Sequence, residues 1–369
     1  MAIQIDKFNI HGFRGIQELT VENLNHINLI VGDNNCGKTS VLEALLLLRN
    51  PSNITNTVRV ARVRETARIL RASSYESFVD LFSKTSDDCC IKISAEGSEK
   101  IFEYELKGEC TRIILDSQEL ERTTREIILG RRRERPIKET EVNAFNGQLI
   151  SNINGEIRQE SVLFHEYTRI TGMAIEREEP LKIRYLAPYD HIQGGIINEI
   201  ISNEEYKKLC VHILQLFDPN IIDLLVLKDK VTERYVEYIK HQVLGNMPIS
   251  TYGDGIKKVL SLANAIAKAT NGILLIDEIE TAIHSKYYQE IFSFVVLACL
   301  QFNVQLFITT HSMEALDAIL KTQDYSNHPE EERISVITLR KGSNKTLSRV
   351  MTGKQVEMNR EAFGFEVRI

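Results

Sequence analysis

What this 369-residue chain lacks narrows its class first. No apolar stretch reaches membrane-spanning length, and the opening Met1-Ala2-Ile3-Gln4-Ile5-Asp6-Lys7 lacks the basic-then-apolar form of a secretory leader. The expectation is a cytoplasmic protein with no membrane partner. The six cysteines, at 36, 89, 90, 110, 210 and 299, make no Cys-x-x-Cys pair. Metal-site spacing is therefore absent, and reduced thiols are the simplest reading. Adjacent Cys89 and Cys90 are either redox-active or two buried thiols on a strand. The net charge of −6 gives no global pull toward nucleic acid or acidic lipid, so any such contact has to be local. No long heptad stretch separates the two halves, which excludes a long coiled-coil arm. What remains, 43% hydrophobic and 26% charged, is the composition of a globular protein, with length for two ordinary domains or one large domain with insertions.

The most informative segment present is Gly32-Asp33-Asn34-Asn35-Cys36-Gly37-Lys38-Thr39-Ser40, which satisfies the G-x-x-x-x-G-K-[ST] phosphate-loop pattern at every required position. The apolar run from Ile27 to Val31 precedes it as a buried strand should, and Ser40–Leu48 follows as a helix should. Glycine lets the backbone curl so that its N–H groups face a phosphate, and the helix N-terminus adds partial positive charge there. In this pattern Gly32, Asn34, Asn35, Cys36, Gly37 and Ser40 form the cradle. Lys38 reaches the β- and γ-phosphates of ATP, and the Thr39 hydroxyl ligates Mg²⁺.

Three further constellations follow in order. Ile273-Leu-Leu-Ile-Asp277-Glu278 reads as a buried parallel strand ending in carboxylates, at the edge where open α/β sheets keep their ligands. Asp277 is then the Mg²⁺ partner of Thr39, and Glu278 polarises the attacking water; the alternative is a strand that runs into a solvated acidic turn. Ser250-Thr251-Tyr252-Gly253-Asp254-Gly255 leads into a helix whose apolar face is 256, 259, 260, 263 and 266. That turn is either a second anion site or a simple helix cap. Leu306-Phe-Ile-Thr-Thr310-His311-Ser312 is again a strand ending in polar groups, where His311 either reaches the γ-phosphate or is structural.

Between the loop and these motifs the pattern weakens. Ile91–Ala95 and Phe102–Leu106 alternate as antiparallel strands with one wet face. Residues 116–160 look like an excursion from the core, Leu181–Leu186 is a strand candidate and Glu204–Gln215 a helix. Two arginine-rich stretches, Arg59 to Arg71 and Arg131-Arg132-Arg133, are candidates for DNA or RNA phosphates. Interspersed acids and few nearby aromatics favour a solvated or partner-facing surface.

The four motifs in this order, with Phe13-Arg14-Gly15 near the start, Asp277-Glu-Ile-Glu280 with His284, and Thr309-Thr-His-Ser312, resemble the ABC-type ATPases of the SMC/RecF/OLD group. They look most like the compact ATP-binding proteins of bacterial anti-phage systems. The resemblance implies an α/β ABC-type head over 1–369: a mixed sheet with helices, its nucleotide-binding halves at 1–50 and 246–340. An antiparallel β lobe and inserted helical region at 51–245 would interrupt them. It implies a homodimer or higher even oligomer that sandwiches ATP, with Ser250, Thr251, Gly253 and Gly255 acting in trans on the partner's nucleotide. Glu278 would be the general base, His311 the switch histidine, Lys38 a catalytic cation and Arg14 a wall of the nucleotide pocket. Gln193 is the candidate for the metal-contacting glutamine. The signature differs from the Leu-Ser-Gly-Gly-Gln of transporters, and the stretch after His311 is too short for a Toprim nuclease and holds no Asp-x-Asp motif. The implied function is an ATPase controlling a separately encoded effector, a nuclease or toxin, in phage defence. The alternative is a RecF-like DNA clamp with weak turnover.

Overall fold

A computed structural model describes residues 4–65, 73–84, 89–97, 100–115, 140–168, 179–192, 195–228, 233–325, 332–342 and 345–363. The chain opens with a hairpin of β1 (Lys7–Phe13) and β2 (Ile16–Val21), then runs into β3 (Ile27–Gly32), whose six residues are all buried. Burial on both faces is what a central parallel strand demands. Helix α1 (Lys38–Leu47) starts at the phosphate loop and is apolar nearly all round. Two short helices follow. Asn53 caps α2 (Ile54–Ala61), and a Ser73/Glu76 capping box starts α3 (Ser74–Val79).

The long strands β4 (Cys89–Gly97), β5 (Lys100–Leu115), β6 (Thr140–Ile153) and β7 (Glu156–His165) join the first hairpin in an antiparallel sheet of order β2-β1-β4-β5-β6-β7. The expected pairing of 91–95 with 102–106 is there, with Ile93 opposite Tyr104. Of the expected excursion over 116–160, residues 116–139 lie outside the described set, and 140–160 form β6 and the first half of β7. That hairpin reads as polar because most of β7 faces water. Cys89 and Cys90 both lie in β4, half-buried, and the thiol of Cys89 lies 3.6 Å from that of Cys110, across the strand pair.

Next come β8 (Ile183–Leu186), α4 (Glu204–Leu214) and a three-stranded antiparallel sheet of β9 (Ile221–Lys228), β10 (Tyr235–His241) and β11 (Gly245–Pro248). Helix α5 (Asp254–Lys268) buries the face foreseen at 256, 259, 260, 263 and 266. Then β12 (Ile273–Ile276), α6 (Tyr288–Gln301), β13 (Gln305–Thr309) and α7 (Met313–Leu320) alternate. The described chain closes with β14 (Ile334–Lys341), β15 (Thr346–Thr352) and α8 (Gly353–Phe363). The second sheet has order β15-β14-β3-β13-β12-β8, parallel except for the edge strand β15.

The sheets do not follow the expected division at 50 and 246. Strands β1 and β2 belong to the antiparallel sheet, whereas β8, from inside the expected insertion, lies parallel to β12. Alternate residues of the parallel strands feed two cores. Leu274 and Ile276 face the helical layer of α4 to α7; Ile273 and Leu275 face α1 and the antiparallel sheet. Phe8 meets Phe307 edge-on at 6.5 Å between the sheets, and the buried Gln305 side chain exchanges hydrogen bonds with both backbone groups of Ile5. Among the described residues no helix is long and apolar enough to cross a membrane. Leu275, fully buried in the layer between the sheets, is a direct gauge of that packing. Leu275→Ala is expected to cost about 2–5 kcal/mol, read as a lower midpoint of chemical denaturation.

Candidate functional site

All the chemistry foreseen near the phosphate loop gathers at the C-terminal ends of β3, β13 and β12, which neighbour each other in the parallel sheet. The loop between β3 and α1 turns through Gly32, Asn35 and Gly37, with φ of +141°, +63° and +104°. A Cβ on Gly32 would lie 2.3 Å from the Leu339 carbonyl oxygen, so this position also needs glycine for space. The Lys38 ammonium folds back into the loop and donates to the carbonyls of Gly32 and Asp33, each at 2.8 Å. Cys36 is buried beneath it, and burial pushes its thiol above the usual range against the pull of Lys38.

Asp277, 5% exposed, is the centre of the constellation. Thr39 donates to its two carboxylate oxygens at 3.2 and 3.1 Å, Thr309 at 2.5 Å and Tyr185 at 3.4 Å. Burial and the Asp277 charge push the Tyr185 hydroxyl well above its usual range, so it stays a donor. Every hydrogen bond to this carboxylate named here comes from a hydroxyl. A hard divalent cation between Thr39 and Asp277 suits that donor set. The sequence distance of 238 residues between the two closes because Ile276 and Ile308 are in register and β13 borders β3.

Glu278 sits one residue further on with φ +48°, a left-handed conformation uncommon for a side chain of this kind. Its N–H donates to the Thr309 hydroxyl at 2.8 Å, so Thr309 bridges the two acids. The turn aims the Glu278 carboxylate at His311, whose Nε2 lies 3.7 Å away, both side chains about 40% exposed. His311 is fixed through its own N–H, which donates to Glu280 Oε1 at 2.7 Å. His284 stands apart, exposed, capping the short helix Ser285–Tyr287 with its ring.

Arg14 occupies the two-residue turn of the first hairpin with φ +52°. Together with Asn35, Gly37, Ser40 and Arg64 it lines a cleft of about 390 Å³ beside the loop, to which Phe82, Lys341 and Lys345 also contribute. Both arginines bind Glu43, a carboxylate with no exposed surface on α1: Arg14 Nε at 2.7 Å, Arg64 Nε at 2.5 Å. Arg64 Nη2 also reaches the Ser40 hydroxyl at 3.3 Å. In the arginine-rich stretch 59–71, Arg64 pairs with Glu43 while nearly half its side chain stays exposed, and Arg62 is bound to Glu65 at 2.9 Å and Ser74 at 3.2 Å. Arg68, Arg71 and Arg131–Arg133 lie outside the described residues, as does Gln193.

The Ser250–Gly255 turn is not joined to this constellation. Ser250, Thr251 and Gly253 are exposed at the head of α5, where Thr251 bonds locally to the Pro248 carbonyl. Gly253 is the N-cap and offers no side chain to the first N–H groups of the helix.

The fold, and the order in which these elements carry their polar ends, define an ABC-type ATPase head of the SMC/RecF group. The family described as "AAA domain, putative AbiEii toxin, Type IV TA system" matches residues 27–317, and the chain belongs to it. It is similar to an "ATP/GTP phosphatase" of Helicobacter pylori, 23% identical over 88% of this chain and 90% of that protein. A shorter stretch of 105 residues is 32% identical to the DNA replication and repair protein RecF of Actinobacillus pleuropneumoniae, covering 26% of this chain and 29% of that one. In fold it is similar to an SMC head solved bound to the C-winged helix domain of ScpA, with TM-score 0.52 at 13% identity, over 96% of this chain and 99% of that one.

The sequence assigned no site role to Glu43 or Tyr185, placed Arg64 only in the arginine-rich stretch 59–71, and offered Thr309 only as the start of the Thr309–Ser312 run. Of the first two, Glu43 alone carried a signal, an acid in the middle of an otherwise apolar helix. Glu43→Gln, which leaves two guanidinium groups sharing a neutral amide, is expected to destabilise by about 2–3 kcal/mol, measured by thermal melting. The cost stays below that of a fully buried pair because Arg64 keeps nearly half its side chain in water.

Proposed function

We propose that the chain binds ATP with Mg²⁺ and hydrolyses it as one head of a homodimer, and that this cycle controls a separately encoded nuclease or toxin in phage defence. One observation carries the reading: Thr39, the adjacent Asp277 and Glu278, and His311 come from three distant parts of the sequence, yet Thr39 lies within 3.2 Å of Asp277 and His311 within 3.7 Å of Glu278. The family description and the name of the Helicobacter pylori relative support nucleotide hydrolysis, and the family description supports the defence setting.

In this mechanism the Lys38 ammonium exchanges the two loop carbonyls for β- and γ-phosphate oxygens. Thr39 and Asp277 would hold a Mg²⁺ ion, which would supply charge neutralisation on the phosphates. Glu278 accepts the proton of the water that attacks the γ-phosphorus, the bond from that phosphorus to the β–γ bridging oxygen breaks so that ADP leaves, and His311 beside Glu278 donates to the γ-phosphate. Arg14, Arg64 and the cleft beside them take the nucleoside end. The exposed N-terminus of α5, with Ser250, Thr251, Gly253 and Gly255, completes the site of a second copy, whose phosphates satisfy its uncapped N–H groups.

A second reading, a DNA-associated clamp in which ATP mainly holds two heads together, draws on the RecF stretch. It predicts salt-dependent DNA affinity that disappears when Arg131, Arg132 and Arg133 are neutralised.

Lys38→Ala is expected to lose nucleotide binding in a direct titration. Glu278→Gln is expected to lower kcat by about 10²–10⁴-fold while retaining ATP and accumulating dimer in light scattering. Normal turnover by that variant would remove Glu278 as the base. Purification with neighbouring gene products tests the effector: co-elution of a nuclease or toxin supports the defence role, and DNA without such a protein supports the clamp.

A further inference from the structure

Two thiols outside the phosphate loop face each other across β4 and β5, with the Sγ atoms of Cys89 and Cys110 3.6 Å apart. The register explains the approach. Cys89 stands opposite Gly108, which has no side chain to fill the space between them, and Cys110 is two residues further along β5 on the same face. Cys90 pairs with Lys107, and alternation turns it to the other face of the sheet. The two thiols differ in access. Cys110 is exposed, whereas Cys89 is half-buried and packs against the core of the antiparallel sheet. The hydroxyl of the buried Tyr75 bonds to the Cys110 thiol. Burial, and then the Cys110 charge, push that hydroxyl well above its usual range, so Tyr75 stays protonated and is a donor to a Cys110 thiolate. An exposed thiol with such a donor, beside a second thiol, is the arrangement that hydroperoxides oxidise.

The pair is also joined to the cleft beside the phosphate loop. Cys110 lies directly opposite Phe145 on β6. The fully buried Phe145 ring stacks on Phe82 at 5.2 Å and meets Phe78 edge-on at 5.3 Å. Phe82 in turn lines the cleft. Close-packed rings have no slack to absorb a change at Cys110, so it is passed to the cleft wall.

We propose that Cys89 and Cys110 are a thiol pair that a hydroperoxide converts to a reversible disulfide, and that this bond displaces the Phe145–Phe82 wall of the cleft and weakens nucleotide binding. The link to the cleft rests on the reading of that cleft as part of the nucleotide site. The Cys110 thiolate attacks one oxygen of the hydroperoxide. The O–O bond breaks, and the departing hydroxide or alkoxide takes the proton lost by the thiol and leaves as water or alcohol. The sulfur of Cys89 then attacks the sulfur of the Cys110 sulfenic acid. The S–O bond breaks, and hydroxide leaves with the Cys89 proton as water. Two electrons pass from the thiols to the peroxide, and a dithiol returns them.

The test exposes the full chain, reduced beforehand, to hydrogen peroxide, alkylates the remaining thiols and maps the cysteines by peptide mass spectrometry. The wild type is expected to lose two of its six free thiols, to yield a peptide cross-linked between Cys89 and Cys110, and to recover both thiols with dithiothreitol. Cys110→Ser is expected to form no cross-link and to leave Cys89 reduced. Cys89→Ser is expected to hold Cys110 as a sulfenic acid that dimedone traps. Mg-ATP titration of the wild type is expected to show affinity weaker by about fivefold or more after oxidation, a difference absent in Cys110→Ser. A cross-link through Cys90, or oxidation of Cys110 with Cys89 still free in the wild type, overturns the thiol pair. Equal affinity of the cross-linked and reduced forms overturns its link to the cleft. A wild type that cross-links as expected but binds no nucleotide in either form overturns the nucleotide reading, and the link with it, and leaves the thiol pair standing.

Discussion

A buried carboxylate that accepts from the hydroxyls of three other elements organises this molecule. Asp277 draws Thr39 from the start of α1, Thr309 from the end of β13 and Tyr185 from β8. Each donor stands where it does because the parallel strands are in register and their outgoing ends share one edge. The constraint is electrostatic as much as geometric. A charge removed from water needs donors or a cation, and the surrounding layers have to hold those donors steady. The two hydrophobic cores on either side of the sheet serve that end, fixing β12 between β8 and β13 so that the carboxylate cannot relax toward solvent.

The antiparallel sheet is tied to the same point by a different route. Glu43, one turn into α1, grips Arg14 from the first hairpin and Arg64 from beyond α2. One acid on the helix that follows the phosphate loop therefore fixes both the hairpin turn and the wall of the adjacent cleft. The Phe8–Phe307 contact and the Gln305–Ile5 pair repeat the linkage at the far end of the strands.

How much of this was legible depended on the range of each signal. The phosphate loop, the strand before Asp277 and the amphipathic face of α5 are local patterns, and local sequence dictates them. The pairing of Thr39 with Asp277 could be expected only because the two motifs are halves of one device. Tyr185 gave no warning and Glu43 only that of an acid in an apolar helix, since a tyrosine in a strand and an acid in a helix acquire their meaning from partners that tertiary packing brings. Arg62 and Arg64 likewise take their particular partners only when packing brings Glu43, Glu65 and Ser74 into reach. The β6–β7 hairpin was missed because its wet face hides the alternation of its inner residues.

The left-handed backbone at Glu278 has a consequence for the history of such proteins. A glutamate there stores strain of about 1–3 kcal/mol that glycine would release and asparagine would ease. Stability therefore favours replacing this side chain, and only a demand on its carboxylate opposes the drift. A descendant freed of that demand would be expected to acquire glycine or asparagine at this turn and to fold more firmly for it, so the residue found there is a record of whether the chemistry is still under selection.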